Sequence, residues 1–243
     1  MDPVAFKIGP LTIYWYGIII GAGILLSLTV GKIIGKKRGI PKDLIDEFVL
    51  IVVPLAVIGA RIYYVLFNLN YYDSFAEMIA IWEGGLAIHG AILVSIITAI
   101  VFTRLKKISF WDFADMGAPC LILGQAIGRW GNYVNGEAYG VETNLPWAMY
   151  IAGAYRHPTF LYESLWNLLI FALLIYVYYK VKVNKGSVFA LYLIGYSIGR
   201  LFIEGFRTDS LMFGPFRVAQ IISIGFIIIG IVLYYLLNRK KVV

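Results

Sequence analysis

Arg129, Asn132, Asn135 and Glu137 crowd into one stretch, GRWGNYVNGEAYG at 128–140, of an otherwise apolar chain. Arg129 and Asn132 are three residues apart and so share one face of a helix. The glycines at 128, 131, 136 and 140 permit close backbone approach and non-helical turns. A guanidinium beside side-chain amides and backbone N–H groups is equipped to grip an anion, with Glu137 placed to orient Arg129. The plainer alternative is a helix terminus whose Asn and Gly residues only cap and turn.

Tyr196, Arg200, Glu204 and Arg207 form a second constellation, spaced by four, four and three. On a helix they fall on one narrow stripe, and Glu204 is expected to pair with Arg200 on one side and Arg207 on the other. The alternative is a structural ion pair that locks this helix to its neighbours. Arg61, Arg129, Arg156, Arg200, Arg207 and Arg217, with Lys7, are the basic residues outside the chain's four basic clusters. A charge at the centre of a bilayer costs at least ~2.5–3.5 kcal/mol on insertion scales, so intramembrane arginines are functional candidates. Their planar forks suit phosphate or carboxylate.

His89 lies in WEGGLAIHG, at an expected depth level with Arg129 and Arg200. Imidazole titrates near neutrality, so His89 is a candidate base, with simple packing as the alternative. His157, in YRHPTFLYE, is expected nearer to water. Tyr14, Trp15 and Tyr16 open the first apolar run and fit an aromatic belt at a membrane interface. Cys120 is the sole cysteine, which excludes an intramolecular disulfide and any C-x-x-C site; it is expected to pack as a small apolar residue. H-E-x-x-H, Walker and G-x-G-x-x-G patterns are absent, so no metal or nucleotide site is expected. The residues together point to recognition of an anionic head group, with His89 available as a base.

These side chains must be positioned by membrane-spanning helices. Charged residues are 14% of the chain, against roughly 25% in ordinary soluble domains. Apolar runs predict seven spans, at about 11–31, 46–67, 85–103, 111–131, 159–180, 188–206 and 216–237. The expected fold is therefore an all-α polytopic membrane protein, with residues 1–243 as a single transmembrane domain. Fourteen of the 21 basic residues fall in four clusters: Lys32–Lys42, Arg104–Lys107, Lys180–Lys185 and Arg239–Lys241. Each cluster abuts an apolar run, the pattern of cytoplasmic loops rather than of a nucleic-acid surface. The clusters follow spans one, three, five and seven, which places the N-terminus outside and the C-terminus in the cytoplasm. The start, MDPVAFKIGP, lacks the pattern of a cleavable signal peptide. Tyr71, Phe75, Met78, Ile79 and Trp82 share one helical face and predict a short interfacial helix within about 69–83. A small outer cap is expected over about 138–158.

With these residues in hand, the chain resembles the bacterial phosphatidylglycerol–prolipoprotein diacylglyceryl transferase family. GRWGNYVNGEAYG resembles that family's hallmark stretch. WYG at 15–17, GARIYYVLF at 59–67, WEGGLAIHG at 82–90, RHPTFLYE at 156–163 and GYSIGRLFIEGFR at 195–207 follow in the family's order. The resemblance implies a transferase of lipoprotein biosynthesis in the bacterial cytoplasmic (inner) membrane, with its active site toward the outer leaflet. It implies phosphatidylglycerol and the lipobox region of prolipoprotein signal peptides as partners. No metal or diffusible cofactor is implied, and no nucleic acid. Arg129 and Arg200 would bind the lipid phosphate. His89 and Tyr16 would join them in catalysis, and Asn132, Glu137, Gly140, Tyr196, Glu204, Arg207 and Arg61 would contact substrate. His89 is the expected base, with a nearby tyrosine or substrate-assisted proton loss as alternatives. The segment between GEAYG and RHP is shorter here than in many relatives, so contacts made by a longer insertion do not carry over. A transporter of a small anion or lipid head group is the rival reading; the one-sided charges and the lack of a visible repeat weigh against it.

Overall fold

A computed structural model describes residues 2–9 and 11–239. Lys240 and Lys241, the end of the last basic cluster, lie outside the described residues. Eight α-helices run through the described residues: α1 Trp15–Gly35, α2 Lys42–Leu66, α3 Phe75–Ile79, α4 Ile88–Leu105, α5 Phe110–Val134, α6 Thr159–Lys180, α7 Ser187–Ile203 and α8 Val218–Asn238. Seven of them, all but α3, match the seven predicted spans. The protein is thus a multi-pass, predominantly helical membrane protein.

Six of these seven helices are long and apolar enough to cross a bilayer by composition alone. The remaining one, α5, carries Asp112, Asp115, Gln125, Arg129 and Asn132 along its 25 residues. These polar groups dilute its hydropathy, and they find partners inside the protein.

The structure moves some expected boundaries. Residues 11–14, placed at the start of the first span, instead form strand β2 (Leu11–Tyr14), paired antiparallel with β1 (Val4–Ile8). Two more hairpins follow, β3 (Met149–Ile151) with β4 (Ala154–Arg156), and β5 (Met212–Phe213) with β6 (Phe216–Arg217). Each hairpin leads shortly into the N-terminus of a helix: α1, α6 and α8. The β3–β4 turn has Ala152 and Gly153 both at positive φ, 50° and 84°, the geometry of a tight two-residue turn that follows strand twist. The interfacial segment is also shorter in its helix than expected. Only Phe75–Ile79 is α-helical, flanked by 3-10 turns at Leu69–Tyr71 and Ile81–Glu83. Ser74 caps α3 through its hydroxyl, which accepts from the Glu77 N–H. Tyr71 and Trp82 therefore sit in separate turns rather than on the face of one continuous helix.

The chain forms two compact units, Met1–Ile33 with Ala114–Val243, and Ile34–Phe113. In the first unit, helices approach through glycines. A Cβ on Gly128 would sit 3.5 Å from Ile20 of α1, and one on Gly124 would sit 3.3 Å from the Ser27 hydroxyl. Ser27 in turn donates to the Cys120 carbonyl at 2.9 Å. Gly199 of α7 leaves no room for a side chain, because its Cβ would lie 2.1 Å from Trp166 Cδ1 of α6. The Trp166 indole N–H donates to the Gly195 carbonyl one turn away, at 2.9 Å. At the far end of α7, the fully buried Asp115 carboxylate accepts from the N–H groups of Gly186 and Phe189, at 2.8 and 2.9 Å. A carboxylate from α5 thereby satisfies orphan donors at the N-terminus of α7, where negative charge is favourable.

In the second unit, α2 and α4 meet glycine to glycine: a Cβ on Gly90 would lie 2.2 Å from the Gly59 carbonyl oxygen. Arg38 pairs with Asp112 at 3.0 Å, and Lys106 with Glu47 at 2.6 Å.

Candidate active site

Glu163 enters α6 in its second turn and is almost completely buried. Its Oε2 lies 2.7 Å from a guanidinium nitrogen of Arg129 on α5. Its Oε1 accepts from Arg200 on α7 at 2.9 Å and from Arg207 at 3.4 Å. Arg207 stands just past the 3-10 turn Glu204–Phe206 that ends α7. Three guanidiniums from separate elements thus converge on one carboxylate.

Glu204, also buried, completes the cluster. Its Oε2 lies 2.8 Å from Arg200 and 3.9 Å from Arg207. The expected pairing of Glu204 with both arginines is therefore present, but α7 ends at Ile203 and Arg207 follows the 3-10 turn in extended backbone rather than continuing a helical stripe. Tyr196, one turn before Arg200, stacks on Tyr192 with ring centroids 6.0 Å apart. Tyr192 in turn accepts from the Gln125 amide of α5 at 3.0 Å.

Outside the helices, Arg207 makes a two-armed pair with Asp209, at 2.9 and 2.7 Å. Burial alone would raise the Asp209 carboxyl, but the hydrogen bonds and charge of Arg207 hold it below the usual carboxylate range. Burial likewise opposes the charge on Arg207, yet Asp209, Glu163 and Glu204 raise its pKa above the ordinary arginine value. Arg207 stays charged.

The hallmark stretch supplies the rest. Arg129 also reaches the Asn132 side-chain oxygen at 3.5 Å. Gly131 meets the ring of Tyr16 on α1, since a Cβ there would lie 2.8 Å from Tyr16 Cδ2. Gly140 forms an isolated antiparallel bridge with Arg207 and donates its N–H to the His157 carbonyl at 3.0 Å. A Cβ on Gly140 would fall 2.6 Å from His157 Cβ and 2.8 Å from its carbonyl oxygen. The residue must be glycine for the 139–141 strip to pass between 157 and 206–208. His157 faces Phe206 at 4.9 Å and shares the Tyr162 hydroxyl, at 3.2 Å, with the Trp147 indole.

Glu137 departs from expectation. It accepts from the Asn135 amide at 2.8 Å and stands exposed, while Glu163 takes the partner role with Arg129. Glu163 is the residue that sequence reasoning missed. The available signal was a lone acid inside the apolar run 159–180, which requires a buried cation as partner. Arg217, one of the arginines that the sequence singles out as candidates, takes a bracing role at the start of α8. It donates to the Glu204 carbonyl, to the Arg207 carbonyl at 2.7 Å and to the Ser210 hydroxyl at 2.8 Å. It fastens the turn that presents Arg207.

His89 and Arg61 belong to the second unit. His89 is the second residue of α4, exposed, with its ring centroid 5.9 Å from that of Tyr63. Arg61 is buried and spends its donors on backbone. It bonds the carbonyls of Met78 at 2.8 Å, Glu77 at 2.6 Å, Gly84 at 2.6 Å and Gly85 at 3.1 Å. Tyr72 lies over its guanidinium at 5.2 Å. Four carbonyl bonds leave one N–H of Arg61 for anything else, so its geometry is that of a clamp on the 77–85 segment.

Comparison with known proteins identifies the family. The family model described as prolipoprotein diacylglyceryl transferase matches residues 3–236. A Bacillus cereus (strain G9842) protein named phosphatidylglycerol–prolipoprotein diacylglyceryl transferase is 48% identical over 254 aligned residues, covering 99% of this chain and 93% of the relative. Proteins of the same name from Bacillus thuringiensis subsp. konkukian (strain 97-27) and Bacillus anthracis (strain CDC 684) match at the same identity and coverage. The chain belongs to the prolipoprotein diacylglyceryl transferase family.

Proposed function

We propose that this protein transfers the diacylglyceryl group of phosphatidylglycerol to the lipobox cysteine of prolipoproteins. A thioether forms and glycerol phosphate leaves. The observation that carries this reading is the convergence of Arg129, Arg200 and Arg207 within a membrane-embedded helix bundle. A buried ion cluster of this kind is a poor stabiliser, because desolvation offsets much of the attraction and well-packed apolar residues often serve stability better. Its value lies in fixed guanidinium forks matched to a phosphate.

In this mechanism the lipobox thiol, with a pKa near ~8.5, is mostly protonated at neutral pH and must lose its proton. His89 takes it, directly or through water. The thiolate attacks the glyceryl carbon that bears the phosphate ester. The C–S bond forms as the C–O bond breaks, and the bonding pair leaves with the phosphate oxygen. Arg129 and Arg200 stabilise the charge that grows there, without reorganisation at the moment of reaction. Tyr16, Asn132, Glu137, Gly140 and Tyr196 shape the pocket around the lipid head group. Glu204 and Arg207 hold the arginine set together, and Arg61 fixes the 77–85 segment.

The basic clusters support a cytoplasmic-membrane protein with its N-terminus outside and the arginine cluster facing the outer leaflet. The transporter reading finds no support in the transferase names of the relatives. The test combines purified protein, phosphatidylglycerol and a lipobox peptide. The expected result is a peptide heavier by one diacylglyceryl group, with stoichiometric release of glycerol phosphate. An unmodified peptide would refute the function.

A further inference from the structure

Arg129, Arg200 and Arg207 are matched by three carboxylates, Glu163, Glu204 and Asp209, so the resting cluster is electrically balanced. Within it the two kinds of acid differ in placement. Glu204 and Asp209 are neighbours in sequence of the arginines they hold. Glu163 comes from another helix and joins all three guanidiniums, one oxygen to Arg129 and the other to Arg200 and Arg207. A carboxylate presents two oxygens with shared charge, and a phosphodiester presents two non-bridging oxygens in the same way. Glu163 therefore occupies the donors that a bound phosphate requires.

We propose that Glu163 is a positioning residue that presets the arginine forks and competes with phosphate for them. The proposal rests on the reading of this cluster as the lipid-phosphate site. In the empty site, Glu163 offsets the mutual repulsion of three cations and keeps their forks converged. Phosphate binding shares or takes these donors. After C–O cleavage the leaving group is a phosphate monoester, which carries about −1.5 to −2 charge at pH 7 and attracts three arginines more strongly than the diester did. The Glu163 carboxylate, fixed beside them, reclaims the forks and lowers the affinity for the product. Release of glycerol phosphate is then helped by an internal anion.

Glu163→Gln tests this, since glutamine keeps the size and one carbonyl acceptor but removes the charge. The full-length variant in detergent micelles is titrated with glycerol phosphate, and with inorganic phosphate as a simpler anion. Transfer is measured in parallel against phosphatidylglycerol. Loss of a charge within contact distance of the arginines is expected to tighten glycerol phosphate binding by about tenfold or more. It should also lower kcat while leaving KM for phosphatidylglycerol unraised. A purely structural role predicts the reverse, weaker anion binding with a raised KM, and that result would overturn the proposal. Unchanged product affinity would overturn it as well. Should the glutamine variant not fold, Glu163→Asp keeps the charge but withdraws it by one methylene. It is expected to bind glycerol phosphate more tightly than the wild type, and equal or weaker binding would count against the proposal. Anion binding reads out the competition whether or not the wild type lipidates the peptide, so failure of the function and failure of the proposal are separable.

Discussion

Tyr16 on α1 sits so close to Gly131 on α5 that a Cβ on the glycine would lie 2.8 Å from the tyrosine ring. The hallmark stretch thus does two things on two faces of one helix. One face holds Arg129 against Glu163, and the other seats Tyr16. Gly131→Ala is expected to push the ring away and cut lipid transfer by about 10–100-fold, the scale of a 1 Å misplacement at a reacting centre. Gly117→Ala on the same helix, where a Cβ would meet nothing within 4 Å, is the control and should transfer normally. The transfer assay on both variants at matched protein level decides the matter.

Arg129→Lys and Arg200→Lys are each expected to lower kcat by about 100-fold, the magnitude of losing one preorganised donor to a developing oxyanion. An ammonium keeps the charge but not the planar fork that spans two oxygens. Steady-state kinetics with phosphatidylglycerol check this. Near-normal turnover by both lysine variants would remove the arginines from the chemistry.

Arg217→Lys is expected to be more damaging than a residue at the start of a helix would suggest. The bonds to the Glu204 carbonyl, the Arg207 carbonyl and Ser210 all come from one terminal nitrogen, Nη1, which the shorter lysine side chain does not reach. Activity should fall about tenfold at normal expression, in keeping with the loss of one or two charge-assisted hydrogen bonds. Amide hydrogen exchange over 204–210 should quicken in the same variant, and an unchanged exchange pattern would contradict the fastening role.

His89→Gln is expected to bind phosphatidylglycerol but transfer slowly at neutral pH. Hydroxide can replace a missing base, so the defect should shrink as pH rises toward the thiol pKa near ~8.5. His157→Gln should alter this pH dependence less. Rate–pH profiles with a lipobox peptide separate the two. A wild-type profile for His89→Gln would shift the proton-accepting role to Tyr16 or Tyr196.

Topology is tested with single cysteines in a Cys120→Ala background. Lys37→Cys, Lys106→Cys and Lys182→Cys should resist an impermeant thiol reagent in intact cells, and Lys7→Cys should react. Labelling of any two of the first three would invert the orientation and move the arginine cluster to the opposite leaflet.

Much of this protein was legible in the sequence because membrane insertion is governed by local quantities. Hydropathy over some 20 residues locates a span, and six of the seven long helices satisfy that criterion. The pairing of Glu204 with Arg200 and Arg207 was legible for a similar reason, since charges three and four residues apart are near neighbours along the chain. The partners of Arg129 were not. Glu137, eight residues away, was the nearest acid along the chain, yet the α5 terminus unwinds after Val134 and carries it to Asn135 instead. Glu163 lies on another helix, 37 positions from Arg200. Only the packing of α6 on α7 through Gly195, Gly199 and Trp166, and of α6 on α5 through Ser164, brings its carboxylate among the arginines. The same holds for Asp115, whose role as a cap for α7 spans 71 positions from Gly186. The hairpins were missed because two to four paired residues leave too short an alternation to stand out beside apolar spans. Sequence alone thus determined which segments enter the membrane and which side chains carry unusual cost there. Tertiary structure decided which charge faces which, because a buried ion must be neutralised by whatever helix packing places within a few ångströms, regardless of distance along the chain.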